Sequence, residues 1–517
     1  MKKIIKSTLF LTSCLLTISL SSCVIFIPKP DPNPGDDENY KDNILADEAR
    51  FTYHDVANAK GIPVTPSIGN INLIVIPVQF TDLRPFNKSG IDALEATFNG
   101  TKDDASNTYW ESVKSFYYKS SYGKLNLSFD IADPYIPTNY TSKDFLRSYD
   151  DQGSEVNKLI SNITTYSSNL TLNGKALDLS NKKYDSDGDQ YVDGVWFIYN
   201  QFDANQVDSE SFWAYTTNYL EEDNKYISKY ANCAISFLYD GDKFKGQDAH
   251  TIIHETGHML GLDDYYSYDL NSGRQFGHVG GLDMMDVNIG DHDAFSKFSL
   301  GWIKPTVLLS KETELTLKPF ESSGEAVIIP SNYYNNSAFS EYLILIYYTP
   351  TGLNKLDSST KYQGYYPLNY STSGILAYHV DARLIKTTIK IVGATYMTSY
   401  DSYLSVDAKT IPQRKVTSNT TMTYYDVDNS NTPSFNKSNE GSKNVSLISL
   451  LSPTNRNVYG SYEAASNSDL YTVLNRNYSN FSTYFPTNKF NDGSRFNVSF
   501  TISSLDEAEA KISVTRW

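Results

Sequence analysis

Apolar and polar positions along the chain predict a succession of short elements. Ile71-Asn72-Leu73-Ile74-Val75-Ile76-Pro77-Val78-Gln79-Phe80 is a near-continuous apolar run, the pattern of a strand buried on both faces. Residues 109–121 (YWESVKSFYYKSS) carry helical spacing, and Leu125-Asn126-Leu127-Ser128-Phe129-Asp130-Ile131 alternates like a strand with one face in the core. Residues 192–199 form a further strand candidate and 248–260 a helix. Mixed elements of this kind predict an α/β domain to about Pro305. Beyond it come β-prone runs at 314–317, 325–329, 342–348, 374–380, 445–450, 496–502 and 510–514, separated by Asn, Ser, Gly and Pro turns, which predict an all-β sandwich. The Ser/Asn/Thr-rich stretch near 417–444 reads as loop, and Asp426 and Asp428 within it as solvated acids.

The first residues have a different pattern. Lys2, Lys3 and Lys6 precede an apolar stretch from Leu9 to Leu20, and Leu20-Ser21-Ser22-Cys23 follows. This is the build of an export signal, and its end resembles the bacterial lipobox, in which cleavage before the cysteine is coupled to its acylation. An ordinary secretory signal and an uncleaved anchor helix are the alternatives. Residues 24–40, with Pro at alternate positions and then acids, suit an extended tether. No later stretch approaches the apolar length of a membrane span. The expected location is therefore extracytoplasmic, at the surface of a bacterial membrane through a lipid on Cys23.

Composition narrows the function. The 517 residues are 40% hydrophobic and 20% charged, enough to build a core, and the net charge of −16 argues against a nucleic-acid partner. Of Cys14, Cys23 and Cys233, the last alone lies outside the leader and tether, so no disulfide framework is expected.

Five of the seven histidines fall between residues 250 and 292. His254 and His258 are four apart, one turn on the same helix face, where two imidazoles can share a metal. Glu255 lies beside them, placed to deprotonate a water that the metal activates. Gly261 can end the helix with positive φ and reverse the chain, which returns Asp264 toward the ion; Asp263 is the competing ligand, one residue short. The pattern HETGHMLGLDD resembles the metzincin signature with Asp as its third ligand. Metzincins place a methionine turn beneath the metal, and Met285 in Gly280-Gly281-Leu282-Asp283-Met284-Met285 is the candidate here. Tyr266 either hydrogen-bonds an oxyanion or packs. His250, one turn before His254, reads as a solvent-facing histidine, with support of a metal ligand as the alternative, and His278 and His292 read as loop residues rather than ligands.

These residues resemble the immune-inhibitor-A-like bacterial zinc metallopeptidases. Residues 72–82, 112–117, 121–125, 294–302 and 373–381 are similar to further segments of that family. The resemblance implies a zincin-type, metzincin-like catalytic domain with one zinc at His254, His258 and Asp264 and with Glu255 as general base. The strand at 342–348 departs from the family in lacking acidic and basic residues. A second metal is expected at Asp185, Asp187, Asp189, the Tyr191 carbonyl and Asp193, whose spacing is that of a tight calcium loop, and the resemblance also suggests calcium there. Gln190 stands where such a loop has Gly, and Trp196 where it has its bidentate Glu; an acidic turn before a buried strand is the other reading.

The expected organisation is a leader over 1–22, a tether over 23–45, a metallopeptidase domain over 46–305 and a β-sandwich region over 306–517. The expected activity is hydrolysis of peptide bonds in extracellular proteins. A surface adhesion lipoprotein with a silent zinc domain and a zinc amidase acting on surface glycopolymers are the alternatives. Cys23→Ser should move the protein from the membrane to the soluble fraction on cell fractionation; unchanged membrane association would remove the lipid-anchor reading.

Overall fold

The computed structural model describes residues 44–45 and 50–517, apart from 101–109, 139, 148–157, 164–169, 204–211, 220–225, 240–246, 270–275, 363, 365, 393–394, 419, 439–444 and 459–462. The leader, Cys23 and nearly all of the tether lie outside the described residues. Among those described, no helix is long and apolar enough to cross a membrane.

The apolar run opening the α/β part is strand β1 (Gly69–Val78), flanked by β2 (Leu125–Ile131) and β3 (Val195–Tyr199); β4 (Tyr215–Asn218) and β5 (Lys229–Ala234) complete a five-stranded sheet of order β2-β1-β3-β5-β4. β1 pairs in parallel with β2 and β3, and β3 with β5, while β4 runs antiparallel at the edge. From Leu73 onward β1 is buried on both faces, as its composition requires, whereas β2 buries only alternate residues. The polar face of β2 meets that of β1 through Asn126 to Asn70 (2.8 Å) and Ser128 to Asn72 (2.5 Å). Cys233 is buried on β5.

Helices α2 (Lys88–Asn99) and α3 (Val113–Ser120) pack on β2 and α4 (His250–Met259) on β4 and β5, while α1 (Tyr53–Lys60) packs on the strand Thr421–Val427. The expected helix over 109–121 begins later because Ser112 caps α3: its hydroxyl accepts from Ser115 N at 3.0 Å.

A six-stranded sheet, five of whose strands follow Pro305, runs Ile44–Leu45, Thr306–Val307, Ala326–Pro330, Glu341–Tyr348, Gly374–Asp381, Ile448–Leu451. A four-stranded antiparallel sheet of Glu312–Leu317, Ala510–Arg516, Val498–Leu505 and Asn477–Tyr478 faces it. Strand Glu341–Tyr348 shows how the layers join. Leu343, Leu345 and Tyr347 enter the core shared with the four-stranded sheet, while Tyr342, Ile344, Ile346 and Tyr348 enter the core that holds β1, β3 and α4. With apolar layers on both sides, its central residues have no solvent-facing position for a charge, which accounts for the missing acids and bases. The sheets change at 305/306, but the apolar core continues across it.

A third sheet corrects the sequence reading. Thr395–Tyr403, Leu384–Val392, Thr421–Val427 and Lys415–Ser418 form four antiparallel strands, of which Thr421–Val427 and the end of Lys415–Ser418 fall within the stretch 417–444 expected to be loop. Thr421–Val427 is half-buried along most of its length, so no alternation marks it. The expectation of solvated acids also fails. Asp428 is 1% exposed and accepts from Tyr403 Oη and from Ser438 N and Oγ, and Asp426 pairs with Lys60 at 2.7 Å and Lys437 at 3.5 Å.

Trp302 fastens the α/β part to the loop before β1. Its ring is buried against Tyr117 and its Nε1 donates to Ser67 O at 2.8 Å. Trp302→Ala should lower the unfolding free energy by about 3–5 kcal/mol, read as a shifted denaturant midpoint. A change below about 1 kcal/mol would show that this contact is dispensable.

Candidate metal centre

α4 starts where Asp248 turns its carboxylate back onto His250 N at 3.0 Å. The helix holds His254 and His258 on one face, and its last turn closes through Leu262 N to Gly257 O at 3.1 Å. Gly261 follows at φ +102°, where a Cβ would lie 3.0 Å from Tyr53 Cβ, so glycine is required both by conformation and by space. The reversal brings Asp264 back to the helix.

The three expected ligands meet. Asp264 Oδ1 lies 3.0 Å from His254 Nε2 and 3.2 Å from His258 Nε2, and the two Nε2 atoms are 3.2 Å apart. Both Nδ1 atoms face carbonyls, Met284 O for His254 and Leu262 O for His258, each at 2.8 Å. A carbonyl only accepts, so Nδ1 carries the proton and each Nε2 is left to present a lone pair inward. Zinc bonds of ~2.0–2.1 Å in tetrahedral array would space their ligands by about 3.3 Å, so the donor set fits that ion in both chemistry and spacing. With a proton in place of an ion, burial pulls His258 down but the Asp264 carboxylate outweighs it and raises it to about 10. Burial raises Asp264, and the two imidazoles overcome that and hold it well below the usual carboxylate range. Asp263 is not part of this meeting: its Oδ1 accepts from Asp264 N at 3.1 Å.

The surroundings hold these groups still. Met285 lies directly beneath the helix, since a Cβ on Gly257 would be 2.5 Å from its Sδ. Asp283 caps the Met284–Val287 turn by accepting from Met285 N at 2.6 Å, and Tyr265 N donates to Met285 O at 2.8 Å. Tyr117 Oη on α3 donates to Ile253 O at 2.7 Å. Glu255 accepts from the Thr216 hydroxyl of edge strand β4 at 2.9 Å, and Tyr268 Oη donates to Asp264 Oδ2. Tyr266 lies nearly parallel to the His254 ring at 6.3 Å and lines the same cavity of about 630 Å³ as Glu255, His258 and Asp264. Thr216 and Tyr268 were not foreseen. β4 has no apolar pattern, and in Tyr265-Tyr266-Ser267-Tyr268 nothing local separates one tyrosine from the next.

His250 is a correction. Rather than facing solvent it is fully buried, stacked between Trp110 (4.6 Å) and Tyr362 (3.9 Å), with Nδ1 2.7 Å from Asp248 Oδ1. Burial opposes its charge, but Asp248 and Asp357 raise it to about 9. His278 and His292 are in non-helical turns and are not among the converging ligands, although both are buried.

In the second expected metal loop, Asp185, Asp187 and Asp189 converge. Asp185 Oδ1 is buried without a hydrogen-bond partner, an orphan acceptor that suits a cation. Gln190 takes φ +79°, the glycine conformation its place requires. Asp193 does something else: its carboxylate accepts from Ser186 N at 3.0 Å and from Ser186 Oγ at 3.1 Å, and burial pushes it up to about 7. His54 Nε2 meets Asp187 Oδ2 at 2.8 Å. Tyr191 N donates to Asp189 Oδ1 at 2.8 Å, and Trp196 is buried in β3, so no fifth acid closes the loop.

No family model matches the chain, and no curated protein matches it. Elemental analysis after zinc loading and dialysis tests the ligand choice. Asp264→Ala should drop the zinc content from about one ion per chain to near zero, whereas Asp263→Asn should retain it. The reverse result would make Asp263 the ligand.

Proposed function

We propose that this chain is a surface-anchored bacterial zinc endopeptidase of the immune-inhibitor-A-like kind, with a zincin-type catalytic domain. One observation carries the reading: the inward-facing Nε2 atoms of His254 and His258 and the Asp264 carboxylate converge while Glu255, the next residue on α4, opens into the same cavity. The mixed sheet with an antiparallel edge strand beside the histidine helix supports the fold assignment. Acylation at Cys23 would place the catalytic part outside the membrane, facing extracellular proteins.

His254, His258 and Asp264 would hold the zinc, which when bound acidifies water and polarises a carbonyl. Glu255 then takes the proton of the attacking water and delivers it to the departing amine. The Thr216 hydroxyl fixes one Glu255 oxygen and leaves the other to receive that proton. Tyr268 holds Asp264 by its outer oxygen, so that Oδ1 stays turned toward the two imidazoles. Among the described residues no strand pairs with the outer edge of β4, so its backbone is available to an extended peptide added as a further strand. Tyr266 lines the cavity wall, from which its hydroxyl would donate to an oxyanion. Asp185, Asp187 and Asp189 would hold calcium as a structural ion.

Casein or gelatin digestion tests the reading. Glu255→Ala should lose about 10²- to 10⁴-fold in rate while keeping its zinc, and a chelator should silence the wild-type chain. A mutant of normal activity would refute the mechanism.

A further inference from the structure

The cavity that contains Glu255, His258 and Asp264 also takes in Lys60 and Lys229. Lys229 opens β5 opposite Asn218 of β4 and is 7% exposed. Thr216 is two residues from Asn218, so Thr216 and Lys229 share the sheet face on which Thr216 holds Glu255. Lys229 Nζ donates to Asn218 Oδ1 at 2.8 Å, and among the described residues no carboxylate lies within ion-pair distance of it.

The neighbouring charges do not relieve it. Lys60 is taken by Asp426 at 2.7 Å, and Lys437 approaches the same carboxylate at 3.5 Å. Two ammonium groups thus share one acid, and Lys229 adds a third positive charge with an amide as its partner. Burial, with Lys60 adding to it, lowers the Lys229 ammonium to about 8. A buried ammonium whose partner among the described residues is an amide is costly, and a methionine would complete the strand without that cost. An incoming carboxylate would form a charge-assisted hydrogen bond and balance the charge.

We propose that Lys229 recognises a substrate carboxylate beside the scissile bond, which makes acidic peptides the preferred substrates. This rests on the peptidase reading above. The carboxylate comes from a Glu or Asp side chain or from a free chain end, and the two sources are separable.

The test uses the full chain and quenched fluorescent peptides with amidated ends that differ only by Glu or Gln at each residue flanking the cleaved bond. One flanking Glu should raise kcat/KM by about 10- to 100-fold over Gln, the range of a hydrogen bond to a charged group. Lys229→Met should bring that ratio near one, and Lys229→Arg should preserve it. A second arm gives the Gln peptides a free C-terminal carboxylate just beyond the cleaved bond; acceleration there instead assigns the recognition to a chain end. Equal wild-type rates in both arms, or a Glu/Gln ratio unchanged in Lys229→Met, overturn the proposal and leave the peptidase reading intact. Failure of the wild-type chain to cleave any peptide, matched by Glu255→Ala, overturns the reading and the proposal together. Melting temperatures accompany each variant, and if Lys229→Met does not fold, the wild-type and Lys229→Arg ratios decide.

Discussion

The hydrogen bond from His254 Nδ1 to the Met284 carbonyl couples α4 to the turn beneath it. It sets the tautomer of one ligand and ties α4 to the segment whose next residue, Met285, fills the space left by Gly257. Tyr117 holds the helix from α3, and Thr216 reaches it from the sheet edge. Each of these bonds ends on α4 or on a side chain it carries, so the helix that bears the two imidazoles is held by three separate elements. Such bracing leaves little freedom for the ligands to collapse onto one another, which favours a cation in the space between them.

What the sequence disclosed follows from which interactions are local. The convergence of His254, His258 and Asp264 was legible because helical spacing and one glycine reversal carry it: these residues and Gly261 lie within eleven residues. The strands buried on both faces were legible because their composition leaves them no other place, as for residues 73–78 and 342–348. Thr216, Tyr268 and Lys229 were not, because each owes its role to a partner that the fold brings from elsewhere or to a rotamer that pattern does not encode. His250 misled for the same reason: a lone histidine at a helix start looks exposed until Trp110 and Tyr362 close over it.

The acidic stretches show the same limit. Asp185 and Asp193 belong to one run of alternate acids, yet one leaves an oxygen free for a cation and the other closes the turn onto Ser186. Spacing brings such residues near one another, but burial and backbone donors decide what each does. Asp426 and Asp428 repeat the lesson in the third sheet, where one neutralises lysines and the other staples a loop.

The strand Glu341–Tyr348, buried on both faces, has a consequence for how the chain can be divided. A fragment ending at Pro305 would keep every candidate catalytic residue and yet lose Ile328, Ile344, Leu376 and their neighbours, so the apolar surface they cover would face water. The part that carries the candidate metal centre is therefore no detachable module, and its core is completed by a region bearing none of the candidate ligands.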